Sequence, residues 1–135
     1  MFSLFEKGGN YLTILEALGK VNRLTPNTYE QSEKLSWLST CEWNIKRDIV
    51  DTHEGAEEVA FTGYDESTPH ETVLIAPAPH DEIYIRWLEA QIHYANGDIG
   101  RYNNAMALYN EEVQTFRNRY NQLHKPLQKN KIKYF

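Results

Sequence analysis

Residues 98–124 read DIGRYNNAMALYNEEVQTFRNRYNQLH. Tyr102, Met106, Tyr109, Val113, Phe116, Tyr120 and Leu123 recur at alternating steps of four and three, so on a helix they share one stripe. Nothing inside the stretch interrupts that pattern. Gly97 suits the end of a preceding helix, the Asp98 carboxylate can accept from the first free backbone N–H groups of the next, and Pro126 marks the far limit. A helix over 98–124 is about 40 Å long. Ordering its backbone costs about 1 to 2 kcal/mol per residue, so one stripe cannot sustain it alone and it must pack on other elements.

The residues upstream supply those elements. Pro79, Asp81 and Glu82 suit the first turn of a helix, and Ile83, Trp87, Leu88, Gln91, Ile92 and Ala95 follow at helical spacing up to Asn96-Gly97. The short Gly97-Asp98 junction then folds the two helices into an antiparallel hairpin. Tyr84, Tyr94, Tyr102, Tyr109 and Tyr120 give it an aromatic seam, readable as core packing or as exposed contact surface. Earlier in the chain, from Leu12 onward, the residues Leu15, Leu18, Val21 and Asn22 form a short stripe that Thr25-Pro26-Asn27 ends. Thr28 and Gln31 have capping-box spacing, and Leu35, Trp37, Leu38, Cys41, Ile45 and Ile49 continue a second helix to about Val50.

Between these helical pairs the period changes. Residues 58–62 and 71–76 have strand character around Val59, Phe61, Val73, Leu74 and Ile75, with Gly63, Asp65, Ser67 and Pro69 between them, which predicts a β-hairpin-like arm inserted over about 54–78. The expected organisation is an N-terminal extension over 1–11, one mainly α domain over 12–124 and a basic tail over 125–135. The domain is a small bundle of about four helices ending in the long hairpin.

The 135-residue length suits one domain, and 41% hydrophobic with 24% charged residues is ordinary globular usage. No apolar run is long enough for a membrane span and the first ten residues do not read as a signal peptide, so a cytosolic chain with no membrane partner is expected. The lone Cys41 excludes an internal disulfide and reads as a small core residue. The net charge of −5 is unevenly spread: residues 48–71 hold eight acids and no lysine or arginine, whereas 125–135 hold four lysines and no acid. That split reads as a solvated loop and tail, or as complementary contacts between copies. His53, His70, His80, His93 and His124 do not recur at metal-ligand spacing: Glu89 and His93 share one helix face, but no second Glu-x-x-His and no His-Glu-x-x-His accompanies them. His53 with Glu54, Glu57 and Glu58 reads as a loose cation site or a solvated acidic loop. Phosphate-loop, dinucleotide and nucleophile motifs are absent, so neither a catalytic site nor a cofactor is expected. Arg117, Arg119 and the tail lysines are basic, but the chain is acidic overall and lacks groove-reading motifs.

Pro79-His80-Asp81-Glu82-Ile83-Tyr84, then Trp87-Leu88-Glu89-Ala90-Gln91-Ile92-His93-Tyr94-Ala95-Asn96-Gly97, then Arg101-Tyr102-Asn103-Asn104-Ala105, resemble the C-terminal helical hairpin of head-tail connector (adaptor) proteins of long-tailed bacteriophages and prophages. The order of upstream elements agrees, so the resemblance covers roughly residues 12–124. The first ten residues have no counterpart in it, and 48–71 is more acidic than the family pattern. The resemblance implies a non-enzymatic virion structural protein, made in the host cytoplasm and assembled into a ring of about a dozen copies. Such a ring would sit between the portal protein and a tail-completion or stopper protein, and DNA would pass through its channel without sequence-specific binding. It also implies an interface through the arm, with Glu57, Glu58, Phe61, Tyr64, Asp65 and Glu66, and through the tail, with Lys129, Lys131, Lys133, Tyr134 and Phe135. A small DNA-binding or regulatory helical protein of a mobile element is the alternative.

Overall fold

A computed structural model of the chain, which describes residues 10–127, is mainly helical. Its four helices are α1 (Ile14–Leu24), α2 (Gln31–Asp48), α3 (Glu82–Ala95) and α4 (Ile99–Leu123), with short 3-10 turns at Val50–Thr52 and Ala56–Glu58. The expected small helical bundle is what forms. Gly97 takes a left-handed backbone (φ 80°) and the Asp98 carboxylate accepts from the Arg101 N–H at 3.1 Å, so the hairpin junction uses the stop and cap its sequence offers.

The longest helix is not the central one. α1, α2 and α4 all pack on α3, which buries Ile83, Tyr84, Ile85, Leu88, Ala90 and Ile92, whereas α4 buries only Ala105, Tyr109, Phe116 and Tyr120. The stripe on α4 is therefore the inner edge of an outer helix, with Met106 and Val113 half-buried against the core. The tyrosine seam divides the same way. Tyr84, Tyr109 and Tyr120 are in the core, while Tyr94 and Tyr102 touch each other at the open end of the hairpin, rings 5.2 Å apart, with Tyr94 exposed.

Two local expectations need correction. The capping box forms at α1: Thr13 Oγ1 accepts from the Glu16 N–H at 3.1 Å and Glu16 Oε1 accepts from the Thr13 N–H at 3.0 Å. Thr28 caps nothing; α2 begins after Glu30, and Asn27 Oδ1 organises the turn by accepting from the Tyr29 N–H at 3.1 Å. Pro79 lies in the turn before α3 and not in its first turn.

The arm is not a β-hairpin. Among the described residues there is no strand, only isolated antiparallel bridges at Thr13↔Val73 and His53↔Pro126. Around the bridge at Val73 the second run pairs with the segment leading into α1: Leu74 N–H donates to Leu12 O at 2.9 Å, Ala78 N–H to Asn10 O at 2.8 Å and Ile14 N–H to Thr72 O at 2.9 Å. Residues 58–62 instead run back along α2, where Phe61 meets Trp43 edge-on at 4.6 Å. Each run pairs with what the bundle places beside it, and the burial of Leu74 and Ala76 sets the register. Of the predicted N-terminal extension only Asn10 and Tyr11 are described, and both belong to this pairing region; of the tail, residues 125–127 are described, with 128–135 outside.

Candidate interaction surface

What fixes the arm is a carboxylate inside the protein. Glu42, on the core side of α2, is completely buried. Its Oε1 accepts from the Tyr84 hydroxyl of α3 at 2.6 Å, and its Oε2 accepts from the Tyr64 hydroxyl at 2.8 Å and the Ile75 N–H at 2.9 Å. The Tyr84 oxygen in turn accepts from the Ala76 N–H at 2.8 Å. One side chain thus binds both runs of the arm to two helices, because each donor is removed from water and must find an acceptor. Burial raises the Glu42 carboxyl from its ordinary value of 4.5 to about 6, against the opposing pull of the bonds from Tyr84, Ile75 and Tyr64. Burial, and after it the neighbouring carboxylate, push both tyrosine hydroxyls up, so they remain donors at any ordinary pH.

That elevation has a sign. A carboxyl with a folded-state value above its unfolded value binds more protons in the folded protein between about pH 4.5 and about 6. Its contribution to stability is therefore greatest below 4.5 and declines as pH rises through 6, by about 2 kcal/mol in total. Urea unfolding of the native chain and a Glu42→Gln variant at several pH values isolates this group. The native chain should lose about 2 kcal/mol relative to the variant between pH 4.5 and 7; parallel curves would show that Glu42 titrates normally.

Two further buried polar groups hold the frame. His53 Nδ1 lies 2.7 Å from Ile49 O and Nε2 lies 2.6 Å from Asn121 Oδ1, with the ring edge-on to Tyr120, so it ties the end of α2 to the end of α4. It is a core residue and not part of a loose cation site. Lys34, 4% exposed, donates to Asn22 Oδ1 at 2.8 Å and Asn27 Oδ1 at 3.0 Å and joins α1 to α2. Cys41 is buried beside Tyr109, and burial pushes its thiol well up, which makes it inert. Among the described residues no group of His, Cys, Asp and Glu side chains gathers at metal-binding distance, and no helix is long and apolar enough to cross a membrane.

On this frame the arm presents its predicted interface residues in two places. Phe61, Tyr64, Asp65 and Glu66 lie along α2, where Tyr64, Asp65 and Glu66 form one wall of an open groove of about 380 Å³ whose other wall includes Ser36, Ser39, Thr40 and Trp43. Ser39 Oγ accepts from the Tyr64 N–H at 3.0 Å and fixes that wall to the helix. Ser67 and Thr68 donate to the Asp65 carboxylate and hold it below the usual carboxylate range. Glu57 and Glu58 sit apart, in the 3-10 turn nearer the end of α4, where Glu58 acts on Tyr120 and His124. Lys129, Lys131, Lys133, Tyr134 and Phe135 lie outside the described residues.

Glu54, Glu57, Glu58, Glu66 and Glu71 are exposed and make no ion pair among the described residues, while Asp48 and Asp51 are paired with Arg47 and Lys46. Sequence reasoning found the acidic arm but missed Glu42. The missing signal was its position: Leu38, Glu42, Ile45 and Ile49 occupy consecutive stripe positions, and a carboxylate there faces the core. No family model, curated protein or solved structure matches the chain.

Proposed function

We propose that this chain is a virion structural protein, a head-tail connector of a long-tailed phage or prophage whose copies form a ring between portal and tail and continue the DNA channel. The observation that carries the reading is the arm: an exposed acidic surface clamped to the bundle by a buried polar network. An arm held in place before binding loses little conformational entropy on meeting a partner, which suits an assembly surface. Its like charges favour a basic partner surface or a channel wall past which DNA slides. The residues that resemble the connector family form the α3–α4 hairpin, the most extensive helix pairing of the bundle, in keeping with that reading. The ring needs no cofactor.

Native mass spectrometry of the protein, alone and with a portal protein from the same genome, tests the proposal. A ring of about a dozen copies is expected in one of the two samples. A monomer that ignores the portal and binds DNA would transfer the reading to a regulatory protein of a mobile element. Neutralising the arm with Glu57→Gln, Glu58→Gln, Asp65→Asn and Glu66→Gln should weaken ring formation and flatten its salt dependence. An unchanged ring would remove the arm from the interface between copies.

A further inference from the structure

We propose that the groove between α2 and the arm is the docking site of this chain's own C-terminal segment, residues 128–135, in the free subunit. The groove is open, and Trp43 stands at its edge 44% exposed, with Phe61 and Tyr64 continuing an aromatic row at ring spacings of 4.6 and 4.9 Å. Such a row combines apolar area with polar edges, the surface that an aromatic and basic peptide fits.

The occupant follows from where the chain leaves the bundle. Leu127 N–H donates to Thr52 O at 2.9 Å and Glu54 N–H donates to Lys125 O at 2.8 Å, so the last described residues are fastened at the root of the arm. From that root the arm carries Glu54, Glu57 and Glu58 and then reaches Phe61 and the groove. The segment itself reads QKNKIKYF. Its lysines stand at every second position, so an extended chain places Lys129, Lys131 and Lys133 on one side and leaves Tyr134-Phe135 at the end. Eight extended residues span up to about 28 Å, whereas Trp43 lies only about 8 Å of helix back from the end of α2 at Asp48, with the short turn Val50–Thr52 between that end and the root. The order of features also matches: lysines come first, beside the acidic turn, and the aromatic pair comes last, beside the aromatic row. A tether this short keeps the segment at millimolar effective concentration over its own groove, ahead of any second copy.

The proposed contact lies within one free subunit. This does not depend on the connector reading, because it is tested on the monomer. A nitroxide attached through Lys133→Cys in the full-length, isotope-labelled chain should remove most of the amide signal intensity of Thr40, Trp43, Tyr64 and Asp65. About 1 M salt, where the screening length falls to about 3 Å, should restore it. The four arm substitutions named above should restore it as well. A mixture of spin-labelled chains with unlabelled, isotope-enriched ones should show no loss. Loss in that mixture would mean that a second copy's tail fills the groove, and undiminished signals in the first sample would mean that nothing does; either result overturns the proposal.

Discussion

Replacing Glu42 with leucine should destabilise the protein by about 3 to 5 kcal/mol in urea unfolding, the cost of breaking a buried charged network from one side. The substitution leaves the Tyr84 hydroxyl, the Tyr64 hydroxyl and the Ile75 N–H without their acceptor, and each buried orphan costs about 1 to 3 kcal/mol. The total stays below the sum because Tyr64 and Ile75 are only half-buried, so the arm can lift and return both groups to water. Tyr84 cannot do so; it is buried in the central helix. The damage should therefore be local first, with hydrogen exchange at Ile75 and Ala76 accelerating before the helices open. Glu42→Gln should cost about 1 to 2 kcal/mol, since its carbonyl still accepts from Tyr64 and Ile75 while its amide faces the Tyr84 oxygen. Adding Tyr84→Phe to Glu42→Leu should cost less than the two changes separately, because the second removes an orphan left by the first. Additive costs would show that Glu42 and Tyr84 do not act as a unit.

The raised carboxyl and this large cost are compatible. The protonation equilibrium compares a charged with a neutral Glu42 in the same place, and there desolvation outweighs the three donors. The substitution compares an acceptor with none, and there the donors decide. The clamp holds the arm whether or not Glu42 is ionised, since the carboxyl oxygens can accept in both states.

Such a residue is hard to read from a sequence because it violates the pattern used for reading. The helices were legible from local rules: Gly97-Asp98 has a stop and a cap within two residues, and the stripes on α2 and α4 keep helical spacing without interruption. Two capping-box candidates exist, Thr13 with Glu16 and Thr28 with Gln31, and local chemistry alone does not rank them. Tertiary structure does, because Thr13 is fixed in extended backbone by pairing with Val73 whereas Asn27 already organises the turn near Thr28. The arm failed for a related reason. Its β-like runs were assigned to each other because they are neighbours in sequence, yet extended segments pair with whatever edge the bundle brings alongside. His53 reads as surface chemistry in the company of Glu54, Glu57 and Glu58. Only its partners Ile49 and Asn121, 4 and 68 residues away, make it a core residue.

Phe116→Ala should cost about 3 to 5 kcal/mol, as large as the loss of Glu42 but by cavity formation. α4 packs chiefly on α3 and buries few side chains, of which Phe116 is the one completely buried. Its ring lies 5.1 Å from His80 in the turn before α3 and 5.6 Å from Tyr120 on its own helix, so it plugs the joint where the C-terminal half of α4 meets the start of α3. Truncation leaves a hole between the rings of His80 and Tyr120, both themselves buried, and little can collapse into it. Leu108→Ala, on the exposed face of the same helix, should change stability by less than about 0.5 kcal/mol. The contrast measures how strongly α4 depends on its inner edge. Exchange should quicken first around Tyr120 and Asn121, and the His53 contact with Asn121 should loosen with them. A cost below about 1 kcal/mol for Phe116→Ala would instead place the anchor of α4 at Tyr109, whose ring meets Trp87 at 5.0 Å. The end of α4, and with it the root of the arm, would then be held chiefly by His53.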